Sequence, residues 1–128
     1  MDIKIKETIE NYKQNLKEFQ KMGFNNEQIR EIYYGLEAGV DVTKYADPKF
    51  NWSKMNEIYI GLENDIDVDK YADPKFNWQQ MLEIRTGLEN GVNVDKYADP
   101  KFNWQQMIQI REELEKEKTK TKEPELEI

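Results

Sequence analysis

The sequence repeats itself with a period of 26 residues. Residues 70–81, KYADPKFNWQQM, return unchanged as residues 96–107, and an altered copy begins at Lys44. A shorter copy, FNNEQI, begins at Phe24. Aligned on their phenylalanine, the four copies start at residues 24, 50, 76 and 102. A fixed period of this size is typical of stacked repeats, so the chain is expected to fold as a linear array of similar units.

Each copy predicts one amphipathic helix. In the third copy, Asn77 is suited to cap the helix, and Gln80, three residues later, completes a capping box. Phe76 and Met81 stand at the two positions of a hydrophobic staple. Because the same pattern recurs in the other copies, we expect four helices that begin in register; a complete repeat should hold a helix of about twelve residues.

An apolar stripe follows each predicted helix start at spacings of three and four residues. In the last three copies it consists of Trp52, Met55, Ile58 and Leu62; Trp78, Met81, Ile84 and Leu88; and Trp104, Met107, Ile110 and Leu114. Since the tryptophans stand in line with the stripe, we expect them to be buried between repeats; the alternative is an exposed recognition surface. We expect the same burial for Tyr45, Tyr71 and Tyr97.

The segment between two helices predicts a compact return. Asn93 is suited to cap a short helical turn that begins at Val94, and Pro100 ends this turn. Val92, Val94 and Tyr97 are expected to hold the return against the main helix. Turn chemistry also accounts for the Asp-Pro pairs, which occur in three equal copies and are therefore interpreted as structural.

The ends of the helices predict one strained repeat. Gly39 and Gly91 stand where helices commonly end in the left-handed conformation, whereas Asp65 occupies this place in the second copy. An L-residue with a side chain tolerates that conformation less well than glycine. The second copy is therefore expected to be locally strained.

These patterns give the fold class: all-α, a short α-helical repeat array, solenoid-like, with an N-terminal capping helix. Residues 1–23 carry one apolar stripe and form the cap, with a partner-binding helix as the alternative. Residues 24–117 hold the four repeats. The last helix is expected to fray near Lys118, and residues 118–128 to form a charged, disordered tail.

Composition restricts the chemistry. The chain contains no histidine and no cysteine, and Ser53 is its single serine, which excludes Ser-His and Cys-His nucleophiles. The acidic spacing at Asp65, Asp67 and Asp69 is similar to a calcium loop. Lys70 replaces the required glycine, so a solvated turn is favoured. We therefore expect no enzyme activity, no cofactor and no metal.

Charge and hydropathy restrict partners and location. The net charge of −7 disfavours direct binding to nucleic acid or anionic membranes and favours basic or apolar protein partners. No apolar run approaches the roughly 18 residues of a membrane span, and no secretory signal is apparent. A cytoplasmic location is expected.

Positions that vary while the frame repeats are expected to face solvent and to carry binding. The aligned variable rows are Tyr33, Tyr59, Arg85 and Arg111, and Tyr34, Ile60, Thr86 and Glu112. The candidate partner-binding residues are Tyr33, Tyr34, Tyr59, Ile60, Arg85, Glu37, Glu63 and Asp67. Glu31 and Glu57 are expected to add to the acidic rim of this patch.

The unit YADPKFNWQQMLEIRTGLENGVNVDK resembles a short helical repeat, YA-x-P-x-F-x-W-x-QM-x-EI-x-x-GL-x-x-G, of proteins from gut Firmicutes and their mobile elements. The resemblance covers about residues 24–114 and implies a helical array without a defined activity. Two functions are left open: a non-catalytic protein–protein interaction module, and an acidic phage or mobile-element inhibitor of anti-CRISPR or anti-restriction type. The second would mimic nucleic acid to block a nucleic-acid-binding host defence protein.

Overall fold

The computed structural model describes residues 16–122, and this part of the chain contains five α-helices and no strand. They are α1 (Leu16–Lys21), α2 (Asn26–Ala38), α3 (Trp52–Glu63), α4 (Trp78–Glu89) and α5 (Trp104–Lys122). Short 3-10 turns at Val42–Lys44, Val68–Lys70 and Val94–Lys96 separate the last four helices. Each helix packs on the next one in sequence. The all-α repeat array is therefore confirmed, although most of the expected capping helix lies outside the described residues.

The helices begin where the asparagines predict. Asn77 Oδ1 accepts a hydrogen bond from the Gln80 backbone N–H at 2.8 Å, and Gln80 Oε1 accepts one from the Asn77 N–H at 2.9 Å. The same reciprocal box forms in the first and fourth copies. Phe76 and Met81, the predicted staple residues, are both buried. These bonds satisfy backbone donors that a helix start otherwise leaves unpaired.

Each return is held on its helix by a tyrosine and a glycine. The Tyr97 hydroxyl is buried and donates a 2.7 Å hydrogen bond to the carbonyl oxygen of Glu83. It reaches this carbonyl because Gly87 has no side chain, as a Cβ there would lie 2.0 Å from the hydroxyl oxygen. Val92 and Val94 are also buried. The predicted anchoring of the return, and the burial of its tyrosine, are confirmed in all three copies.

The helix ends adopt the predicted left-handed backbone. Gly39 and Gly91 have φ of 77° and 73°. Asp65 has φ of 54° and is the single residue other than glycine with positive φ in the described part of the chain. The second repeat therefore carries backbone strain that its neighbours avoid by using glycine.

Polar contacts join consecutive repeats in register. Gln80 Nε2 donates to the carbonyl oxygen of Phe102 at 2.8 Å, and Gln28 makes the same bond to Phe50 at 2.7 Å. Further out, Lys70 Nζ lies 3.0 Å from a carboxylate oxygen of Asp95, and Lys44 pairs in the same way with Asp69. The register of the array is thus set by side chains that repeat with the sequence.

The last helix is longer than predicted. It continues to Lys122, so the expectation that it frays near Lys118 is wrong. Lys118 Nζ donates to the carbonyl oxygens of Asn90 (3.0 Å) and Gly91 (2.9 Å), just past the C-terminus of α4. A cation is favourable at this position because the final carbonyls of a helix carry partial negative charge. Of the tail expected to be disordered, residues 118–128, the first five belong to this helix, and residues 123–128 lie outside the described residues.

Candidate partner-binding surface

The expected burial of the tryptophans is wrong. Trp52, Trp78 and Trp104 are 47%, 40% and 37% exposed. An α-helix turns about 100° per residue, so two successive three-residue steps rotate the side chain by about 120° away from its starting direction. Trp78 and Ile84 are separated by two such steps, and Ile84 is fully buried. The tryptophan therefore lies outside the apolar stripe, at the edge of the helix.

Two of the exposed tryptophans, Trp52 and Trp78, line grooves between consecutive helices. Trp52 and Tyr34, which is 52% exposed, share a groove of about 270 Å³ between α2 and α3. Trp52 and Trp78 share the equivalent groove of about 160 Å³ between α3 and α4. We call Tyr34, Trp52, Trp78 and Trp104 the aromatic face. Three of its four members, the tryptophans, recur at the same position in the last three repeats.

A row of carboxylates lies beside the aromatic face. Glu31, Glu57 and Glu83 occupy equivalent helix positions and are only 7–8% exposed. Arg85 Nε lies 3.0 Å from Glu57 Oε2. Arg111 Nη2 lies 3.1 Å from Glu83 Oε1. Each pair joins one helix to the next, so these arginines serve packing between repeats.

Glu31 has a different environment from the other two carboxylates. Its Oε2 accepts a hydrogen bond from the Asn56 side-chain amide at 3.2 Å, and within residues 16–122 it forms no ion pair. Burial raises the pKa of Glu31, an effect that the Asn56 hydrogen bond and the charge of Arg30 only partly oppose. This carboxylate also lines the groove between Tyr34 and Trp52.

The predicted tyrosines are placed in two different environments. Tyr34 faces solvent, as expected, whereas Tyr33 is half-buried and packs edge-on against Phe19 of α1, with ring centroids 6.0 Å apart. Tyr59 and Ile60 are also half-buried. A hydrogen bond with the Glu63 carboxylate is the main cause that raises the pKa of Tyr59. Among these four candidates, the expected solvent-facing position is therefore correct for Tyr34, whereas Tyr33, Tyr59 and Ile60 are half-buried.

The charged candidates are not gathered into one patch. The Arg85 side chain is 12% exposed and is held by Glu57 and Glu89, which corrects its expected solvent-facing position. Glu37 and Glu63 are exposed. Asp67 caps the second return by accepting a hydrogen bond from the Asp69 backbone N–H. Glu31 and Glu57, expected on the rim, are buried instead.

The remaining chemical possibilities are few in the described residues. No group of acidic side chains in residues 16–122 is arranged to hold a metal ion, and Asp69 of the calcium-like segment is paired with Lys44. None of the helices described is both long and apolar enough to cross a membrane. What the described surface offers is the aromatic face and the carboxylates beside it.

No protein-family model, curated protein or solved structure matches this chain. The resemblance to repeat proteins of gut Firmicutes therefore stays an expectation. The function of the chain is therefore argued from the geometry of its own residues.

Proposed function

We propose that the chain is a non-catalytic protein-binding array whose partner lies across the aromatic face. The observation that carries this proposal is the exposure of a large aromatic side chain at the same position of three successive repeats. Tryptophan and tyrosine supply most of the binding energy in many protein interfaces, because they bury a large area at a small cost in conformational entropy. The helices that carry them are fixed by caps, returns and contacts between repeats.

The spacing of the aromatic face favours a protein ligand over a small molecule. Neighbouring packed helices are about 8–10 Å apart. Trp52 of α3 and Trp104 of α5 are therefore separated by roughly 20 Å. An extended segment or a helix of a partner protein spans this distance. Of the eight residues that the sequence suggested, Tyr34 belongs to this surface, while Tyr33 and Arg85 support packing.

The acidic-inhibitor alternative receives less support. A nucleic-acid mimic needs regularly spaced carboxylates that are free to replace phosphates. The regularly repeated Asp69 and Asp95 are instead paired with Lys44 and Lys70 of the preceding repeats. Partial neutralisation weakens the field that such a mimic would require.

A selection from phage-displayed random peptides tests the proposal. The target is the full chain, and the comparison variant is W52A/W78A/W104A. A matched control, K49A/K75A/K101A, changes three exposed residues of the Asp-Pro corners. We expect the enriched peptides to bind wild type and control alike and to lose at least tenfold in affinity for the tryptophan variant.

Circular dichroism of each variant first establishes that the helices are retained. Peptides that bind the tryptophan variant as well as wild type, or a selection that enriches nothing, would contradict the proposal. Binding that disappears at high salt and does not depend on the tryptophans would support the acidic inhibitor instead.

A further inference from the structure

Two of the three buried carboxylates at the helix position of Glu31, Glu57 and Glu83 are neutralised by an arginine. Glu57 meets Arg85, and Glu83 meets Arg111, each 28 residues later in the sequence. The two pairs have similar contact distances, and all four side chains are largely buried. In both cases the guanidinium comes from the following helix.

Glu31 lacks this cation. The residue 28 positions later is Tyr59, which turns to Glu63 and cannot supply positive charge. Arg30, the basic residue closest in sequence, is exposed; its charge only partly opposes the effect of burial on the Glu31 pKa, and it forms no ion pair with this carboxylate. The Asn56 amide is a neutral partner. A carboxylate that is 7% exposed is therefore left without the compensation that both of its counterparts have.

The groove above Glu31 is suited to a guanidinium group. Its other walls are Tyr34, Trp52, Glu27 and Arg30. At about 270 Å³ it lies just below the range of about 300–1,000 Å³ that is typical of pockets for drug-sized ligands. A planar guanidinium can stack on an aromatic ring and at the same time donate two hydrogen bonds to a carboxylate.

We propose that this groove receives an arginine side chain from the protein partner, which pairs with Glu31 as Arg85 pairs with Glu57. The inference rests on the proposed function, because it assigns one residue of the partner that the aromatic face binds. The partner thus completes a contact that the array completes for itself in the next two repeats. Arginine is favoured over lysine because both internal examples use arginine and because the groove has aromatic walls.

The first test uses Nα-acetyl-arginine amide as the probe and follows the indole N–H resonance of Trp52 by NMR. Nα-acetyl-citrulline amide is the matched neutral probe, because it keeps the shape of the side chain and removes the charge. We expect the arginine probe to shift the Trp52 resonance in a saturable way. The citrulline probe should bind at least tenfold more weakly.

Two variants locate the effect. Glu31→Gln removes the charge and keeps an oxygen for Asn56, and it should weaken the arginine probe at least tenfold. Tyr59→Arg supplies an internal arginine at the position of Arg85 and should also exclude the probe. Glu113→Gln, which changes an exposed carboxylate of α5 away from the groove, is the control and should leave the probe affinity within twofold of wild type.

Equal shifts with arginine and citrulline, unchanged binding to Glu31→Gln, or no shift with the arginine probe would overturn the inference. The peptides selected on the aromatic face separate this failure from failure of the proposed function. If these peptides lose affinity for the tryptophan variant but bind Glu31→Gln as tightly as wild type, the protein-binding function stands and the arginine site does not. If they depend on neither change, both proposals fail.

Discussion

Replacing each carboxylate of the buried row by glutamine should destabilise the protein at two of the three equivalent positions and not at the third. Glu57→Gln and Glu83→Gln remove one member of a nearly buried ion pair, and the arginine loses its carboxylate on the preceding helix. Glu31→Gln removes a buried charge that has no arginine partner. The substitution is the same in all three cases, so differences in stability report the partner and not the glutamine.

The magnitude follows from the contacts. Removing one partner of a fully buried ion pair costs about 3–5 kcal/mol, and a hydrogen bond to a charged group contributes about 1.5–3 kcal/mol. Because Arg85 keeps its ion pair with Glu89, one helical turn later, the smaller cost of a lost hydrogen bond to a charged group applies. We expect Glu57→Gln and Glu83→Gln each to lower the free energy of unfolding by about 2 kcal/mol. For a domain of this size that corresponds to a decrease in Tm of roughly 7 °C.

At pH 7 the free energy of unfolding of Glu31→Gln should not fall more than about 0.5 kcal/mol below that of wild type. Its effect should also depend on pH. Because the folded protein raises the pKa of Glu31, the stability that this group contributes is fully present below its unfolded pKa and is lost as the pH rises through the folded pKa. Protonated Glu31 resembles glutamine, so the stability of Glu31→Gln relative to wild type should decrease as the pH is lowered from 7 to 4.

Urea denaturation followed by circular dichroism measures these differences. Wild type and the three variants are compared at pH 7, and wild type and Glu31→Gln again at pH 4. If Glu31→Gln loses as much stability as Glu57→Gln and Glu83→Gln, then Glu31 already has a compensating cation. Its described environment would then be wrong, and the reason to expect an arginine from a partner would be lost.

Three further changes test the fold. Gly61→Ala places a Cβ 2.2 Å from the Tyr71 hydroxyl oxygen. It should reduce the free energy of unfolding by about 2 kcal/mol, although alanine is the better helix former. A neutral result in urea denaturation would exclude tight packing at Gly61. Trp52→Ala should cost less than about 1 kcal/mol and Met55→Ala about 2–5 kcal/mol, since Met55 is fully buried; equal midpoints would contradict the exposed position of Trp52. Asp65→Gly should raise the thermal midpoint by removing strain of about 1 kcal/mol, and a lower midpoint would show that Asp65 is not strained.

Local features of the fold could be predicted because their causes are close together in sequence. The capping box at Asn77 and Gln80 involves residues three positions apart. The left-handed ends at Gly39 and Asp65 follow from position alone. Burial of Tyr97 could be inferred from its regular place in the return, although its contact with Gly87 could not.

The candidate site was less predictable because it depends on rotation around the helix and on contacts between repeats. Spacing alone placed Trp78 with the apolar stripe, and a calculation of the angle between Trp78 and Ile84 would have separated them. The pair of Glu57 and Arg85 joins positions 28 residues apart, whereas the repeat aligns residues 26 apart. Nothing in the periodic pattern marks that pair, so Arg85 was interpreted as solvent-facing.

Some differences between the copies are explained by the ends of the array or by packing between repeats, and the remaining ones point to a partner. In the row that contains Tyr59, Tyr33 packs on α1, and Arg85 and Arg111 neutralise the preceding carboxylates. In the last helix, Glu113 replaces the glycine on which a return tyrosine would sit, which prevents the docking of a fourth return. Tyr59 lies inside the array, where neither end accounts for it. Its effect is to leave Glu31 unpaired beside an open aromatic groove, which is where a partner can add the missing charge.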